Sequence, residues 1–385
     1  MLIKTEGLKV TIQCEGRGFN MFSQNGMISS RQMRRILMLS VFSGGIFVMP
    51  YLFASMFGDA FITGIITFVI ISALYVGLIL MLGKGKIIDP ACDKKDKLGD
   101  RVRVLVYVVR YTIRLVFYMV LAVAIIGEGQ VPFVNKNAGN SFGNLMVLLP
   151  LLLVAYYGAL KGLEEQGRTN EMIFWASFFP YVLMLLFGLK EMDRDILVPK
   201  TGLNISILLR CYALLTFIVP VEIYPQLKLN RDKEHTSLGM TYFQVMLMII
   251  LIAVLAVMMA GIYGLNGMGK EPMISVAIMR YIELPLGVLQ RFDVLMVWFF
   301  MTGVFAAISG ILFRIRRRLL EVVSKGTGEI TLIVILIASL FMCLGMPKYE
   351  ITLDAFVVYG AFVDVPLSIL TMTLDRRSID IIKAQ

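Results

Sequence analysis

The 385-residue chain has one histidine, His235, and four cysteines, Cys14, Cys92, Cys211 and Cys343, with no pair at C-x-x-C spacing. These scarcities exclude a zinc or haem site built on clustered His and Cys ligands, and a cysteine–histidine catalytic pair. A disulfide framework is equally unsupported. Charge is also sparse: 17% of residues are Asp, Glu, Lys or Arg, against about 25% in soluble domains. There is no phosphate-binding signature, because Gly83-Lys84-Gly85-Lys86 has the wrong spacing for a phosphate cradle. No metal and no cofactor are expected.

Apolar residues make up 58% of the chain, above the roughly 45–50% of soluble domains. They fall into long runs. A helix needs about 20 mainly apolar residues to cross the hydrocarbon core. Ten runs qualify: 35–56, 61–82, 104–127, 144–161, 170–189, 205–225, 238–263, 292–313, 329–346 and 352–374. The expectation is an all-α polytopic membrane protein whose residues 28–375 form one transmembrane domain. Residues 1–27 read as a polar cytoplasmic segment without the apolar core of a signal peptide, and 376–385 as a cytoplasmic tail. Ser29 and Gln32 have capping-box spacing at the start of the first helix.

The net charge of +10 could suggest a nucleic-acid partner, but the basic residues lie in loops between apolar runs, where they read as topology determinants. With the N-terminus inside, the inner segments carry 26 Lys and Arg, including Arg314, Arg316, Arg317 and Arg318, and the outer loops carry 8. Both termini are therefore expected in the cytoplasm. The long outer loop, 264–291, is too apolar for a solvated linker. Met273, Val276, Ala277, Arg280 and Glu283 recur at roughly helical spacing, which predicts a short helix on the outer face, either a lid or a passive interfacial helix.

The first run contains Ser43-Gly44-Gly45-Ile46-Phe47 followed by Pro50, and the sixth contains Pro220. Each proline lacks an amide proton, so the carbonyls of Ile46 and Thr216 lose their helical donors. Irregular backbone at membrane depth must face protein or a wet cavity. Interruptions in corresponding spans of two halves point to a transporter-type binding site. Glu222 lies two residues beyond Pro220, and an intramembrane carboxylate is a functional candidate by default. Arg110 and Arg114 share one face of the third span, with Arg110 expected nearer the cytoplasm, and Arg210 opens the sixth. Arg114 is placed to pair with Glu222, to hold a substrate carboxylate, or to serve a purely structural ion pair. Met258 is expected on a lipid face.

Ser-Gly-Gly-Ile-Phe-Val-Met-Pro at 43–50 resembles the broken first helix of the amino acid–polyamine–organocation transporter superfamily. Ile28-Ser29-Ser30-Arg31-Gln32, Phe217 to Pro225, Pro272 to Arg280, and Leu289-Gln290-Arg291-Phe292-Asp293 leading to Trp298 resemble its spore germination branch, the B subunit of GerA-type germinant receptors. Gln290 and Phe292 depart from that pattern, and Arg114 has no counterpart in it. The resemblance implies a LeuT-like five-plus-five inverted repeat, here 28–190 and 200–375, with broken helices 1 and 6. It implies a central site for an amino acid or similar nutrient, and with the residues singled out above the expected lining is Ser43, Gly44, Gly45, Ile46, Thr216, Val219, Pro220 and Glu222, joined by Arg114 from its charge and depth alone. It further implies A-type and C-type receptor subunits as partners, in the spore inner membrane or the cell membrane. Two other functions stand beside this one. An ion-coupled amino acid transporter would share the fold. A membrane-embedded enzyme would need a nucleophile–base pair or metal cluster inside the spans, and one loop histidine argues against it.

Overall fold

The computed structural model describes residues 28–83, 97–128, 141–193, 202–229, 237–270, 273–278, 292–346 and 349–373. The polar N-terminal segment, the tail after 373, the loops carrying Cys92 and His235, and the outer-loop residues Arg280 and Glu283 lie outside them.

The described residues are helical almost throughout. Helix α1 (Ser30–Phe57) starts at the expected capping box: the Gln32 amide donates to Ser29 Oγ at 3.2 Å, and the Ser29 amide donates to Gln32 Oε1 at 3.1 Å. It stops at Gly58, whose φ of +50° only glycine adopts cheaply, and the chain reverses into α2 (Phe61–Leu82) within three residues. Then come α3 (Lys97–Glu128), α4 (Ser141–Lys161) and α5 (Leu163–Gly188). The second half opens with the short helices α6 (Ile205–Leu214) and α7 (Tyr224–Leu229), separated by an unwound stretch. Helix α8 (Leu238–Met268) changes direction at Gly264, where φ is +71°, next to the expected span end at 263. A single turn, α9 (Ile274–Ala277), precedes α10 (Phe292–Val322), α11 (Lys325–Leu344) and α12 (Tyr349–Tyr359). The last helix continues through a π-helical segment, Gly360–Asp364, to residue 373.

Each of the ten expected apolar runs contains helix among the described residues. Seven stretches among the described residues are long and apolar enough to cross a membrane, with α1 and α2 counted as one, Ser30–Leu82. The sixth span is split, so its apolar helix, Ile205–Phe217, is short. Leu74, Phe179, Phe341 and Phe362 point outward with most of their surface exposed, as lipid-facing groups must. The chain is an integral membrane protein.

Helix α1 sits in the centre, against α8, α5 and α10, and also meets the unwound stretch and α9. Lipid tails are as apolar as leucine, so helices in a bilayer gain most where small residues allow close packing. An added Cβ at Gly64 would come within 2.4 Å of the Phe57 ring, and one at Gly188 within 2.3 Å of Met258 Sδ. Met258 is therefore a buried packing residue, not the lipid-facing one expected: it fills the gap that Gly188 leaves between α5 and α8.

Candidate functional site

The sixth span unwinds where Pro220 predicts. Helix α6 ends at Leu214, tight 3-10 turns run through Leu215–Phe217 and Val219–Ile223, and α7 resumes at Tyr224. Pro220 sits in the first turn of the second 3-10 segment, where a missing amide proton costs little. The Thr216 carbonyl accepts from Arg114 Nη2 at 3.3 Å. The first span behaves differently. Helix α1 is continuous from Ser30 to Phe57 with Pro50 inside it, so the break expected around Gly44 and Gly45 is absent and their amides are not released. Pro50 frees the Ile46 carbonyl alone, and that oxygen accepts from the Ser275 hydroxyl on α9 at 2.6 Å. Both freed carbonyls are thus met by protein donors, as membrane depth requires.

Arg114 and Glu222 are both buried, at 2% and 6% exposure. They belong to one network but do not pair with each other. Arg110 joins the two carboxylates: its Nη2 lies 2.6 Å from Glu222 Oε2, and its Nε donates to Asp364. Arg114 Nη2 donates to the other oxygen of Asp364, which also accepts from Thr216 Oγ1 at 3.2 Å. The Tyr111 hydroxyl donates to Glu222 Oε1 and accepts from Arg314 Nη1 at 3.4 Å. Two arginines thus face two carboxylates with no net charge, across α3, the unwound stretch and the π segment of the last helix. Buried ion pairs of this kind are weak evidence for stability, but breaking one is costly. The network also depends on Gly360: an added Cβ there would lie 2.3 Å from Thr216 Cβ, so only glycine lets the last helix approach the unwound stretch.

Ser43, Gly44, Gly45 and Ile46 are buried where α1 meets α3, α8 and α10. The Ser43 hydroxyl makes no hydrogen bond of normal geometry and lies beside the Tyr118 hydroxyl. An added Cβ on Gly44 would come 2.9 Å from Tyr118 Oη and 3.6 Å from Phe217, and one on Gly45 would come 2.6 Å from Ile252 Cδ1. The close neighbour of Gly45 is therefore a side chain of α8. Val219 and Pro220 are buried in the unwound stretch. Arg110, Arg114 and Tyr118 recur every four residues along α3, so the charge network sits about 6–12 Å from the Ser43–Tyr118 contact, toward the N-terminal end of α1.

Sequence reasoning missed Asp364, Tyr111 and the burial of Arg110 and Arg314. Asp364 was within reach, because a carboxylate in the tenth apolar run meets the criterion that singled out Glu222. Arg210 lies apart from the network, and its guanidinium donates to the Met56 carbonyl near the end of α1.

A family model described as spore germination protein matches residues 27–350. Among solved structures the chain is similar to a crystal structure of MhsT in complex with L-phenylalanine, with a TM-score of 0.67 and 14% identity over 90% of this chain and 89% of that one. At that identity the likeness shows the fold, a LeuT-like transporter architecture. A search of the curated proteins finds no match.

Proposed function

Because the chain belongs to the spore germination protein family, we propose that it is the permease-like subunit of a germinant receptor, binding a small nutrient such as an amino acid inside the bilayer. The observation that carries this reading is the unwound sixth span, set beside Ser43 and Tyr118 and backed by the buried Arg110–Glu222–Asp364–Arg114 network. Interrupted helices at the midplane hold solutes in transporters, and buried ionisable groups there mark function. The hydroxyls of Ser43 and Tyr118 and the backbone of residues 215–219 offer donors and acceptors suited to an ammonium and a carboxylate. The solute occupies the junction between α1 and the unwound stretch. The α9 turn covers it on the outer side, and the charge network closes it on the cytoplasmic side. Both termini are cytoplasmic.

Binding acts by favouring one arrangement of the two halves over another, and the shift is limited by the solute's differential affinity for them. A-type and C-type subunits in the spore inner membrane read out that shift. An ion-coupled amino acid transporter is the second reading, favoured by the fold shared with MhsT in its L-phenylalanine complex.

The test is a panel of L-amino acids titrated against the nanodisc-reconstituted chain, read as saturable thermal stabilisation. Ser43→Ala should weaken binding without lowering the unliganded melting temperature, because that hydroxyl has no well-formed bond to lose. A flat panel, together with failure to co-purify A- and C-type subunits from the native membrane, sinks the receptor reading. Solute uptake by liposomes holding this chain alone would assign it to transport.

A further inference from the structure

Among the described residues the fully buried formal charges are three arginines, Arg110, Arg114 and Arg314, and two carboxylates, Glu222 and Asp364. The carboxylates are engaged by Arg110, Arg114, Tyr111 and Thr216. One positive charge is left over, and it falls on Arg314. This side chain is 4% exposed, its Nε has no hydrogen-bond partner, and Nη1 reaches only the Tyr111 hydroxyl, at 3.4 Å. A buried guanidinium without a counter-charge is among the most expensive groups a protein can hold.

Arg314 lines a recess of about 20 Å³ between α1, α5 and α10, with Ser40, Gln166 and Asn170 as the other polar walls. That volume admits one water-sized or halide-sized species, since roughly 10–15 Å³ on the same measure is enough for a water. A second cavity of about 200 Å³ shares Gln166, Asn170 and Ala306 with the recess. It continues along Thr169, Glu165 and Lys161 to the turn between α4 and α5, at the end of the bundle where α1 begins. Gly310 also lines the recess, and an added Cβ there would stand 3.6 Å from Arg314 Nη2, in ordinary van der Waals contact.

We propose that this recess is an anion site, in which Arg314, with the Asn170 amide, holds one small monovalent anionic group. The group is a halide or the carboxylate of a small solute whose remainder lies in the larger cavity. The site is separate from the Ser43–Tyr118 junction and does not rest on the receptor reading. It supplies the missing counter-charge, and through Tyr111 it touches the network that holds Glu222.

The test uses the full chain in nanodiscs, exchanged into sulfate, with sodium chloride or sodium acetate titrated at constant ionic strength and radioactive chloride binding measured in parallel. Wild type should show a saturable rise in melting temperature with at least one of the two anions. Chloride alone identifies a halide site, and acetate alone a carboxylate site. Arg314→Gln should be flat to both, whereas Arg316→Gln, which loses the pairing with Glu329 and a 3.4 Å bond to the Leu160 carbonyl but does not line the recess, should keep the wild-type response. Should Arg314→Gln fail to fold, Asn170→Asp supplies an internal carboxylate across the recess, and its stability should become independent of added anion. Anion titrations that are flat in wild type, or that survive unchanged in Arg314→Gln or Asn170→Asp, overturn the proposal.

Discussion

Asp364→Asn isolates the group on which the two halves of the charge network meet. Asp364 is fully buried and accepts from Arg110 Nε, Arg114 Nη2 and Thr216 Oγ1. Asparagine keeps the volume and one acceptor oxygen but turns the other position into a donor facing a guanidinium. The four-group cluster then changes from neutral to a net positive charge with no water to solvate it. Removing one partner of a buried pair costs about 3–5 kcal/mol. The retained oxygen still takes one of the three donors, so the lower end, about 3 kcal/mol, is expected, on the order of a hundredfold in the unfolding constant. Reversible unfolding in mixed micelles measures it. Adding Arg114→Gln removes the stranded charge as well, so the double variant should be less destabilised than the sum of the singles, by about 1–3 kcal/mol. If Asp364→Asn unfolds within about 0.5 kcal/mol of wild type, or the cycle is additive, the buried network described above does not exist in the folded protein.

Three further outcomes follow from the same geometry. Ser275→Ala leaves the Ile46 carbonyl buried without a donor and should cost about 1–3 kcal/mol in the same unfolding assay; wild-type stability would mean that α9 does not dock on α1. Gly360→Ala drives a methyl group into Thr216 and should cost about 1–3 kcal/mol, while Gly326→Ala, with open space around it, should cost nothing; equal effects would refute the close approach of the last helix. In a variant keeping Cys92 as its one cysteine, impermeant maleimide should label broken cells and not intact ones, because the 84–103 segment carries seven Lys and Arg; equal labelling of intact cells would reverse the inside-out assignment.

The membrane class and the break in the sixth span were legible because both depend on local chemistry. Apolar run length reports the solvent, and Pro220 with its neighbours reports where a helix cannot continue. Pro50 misled because a proline removes one hydrogen bond, and whether the helix then opens depends on what replaces it. Here the replacement is Ser275, 229 residues along the chain, and it holds the Ile46 carbonyl while α1 stays helical. The part of the expected short outer helix that falls in the described residues is the α9 turn, whose Ile274, Ser275 and Val276 are buried rather than laid on the surface. Helical spacing suggested the element, but burial depended on α1 and α8 being there to receive it.

The candidate site was legible in its ionisable groups and illegible in their pairing. Periodicity put Arg110 and Arg114 on one face, and cost singled out Glu222, but no local rule connects them to Asp364, about 250 residues beyond either arginine. Arg314 shows the opposite failure. It was counted with Arg316, Arg317 and Arg318 as a topology charge, as though the four were equivalent. A 3.6-residue period separates them: residues 314 and 318 share one face of α10. That face meets α3, where the Arg314 guanidinium lies 5.3 Å from the Tyr111 ring centroid and the Arg318 guanidinium 5.0 Å from that of Tyr107. The two tyrosines, themselves four residues apart, stack with centroids 4.3 Å apart. Two i, i+4 pairs running in opposite directions make a ladder of cations over aromatic rings, and its outer rung, Arg318, is half-buried while its inner rung is sealed in. A basic cluster at a span end thus does two jobs. Arg316 pairs with Glu329 and donates to the Leu160 carbonyl, and Arg314 carries its charge inward to the hydroxyl that holds Glu222.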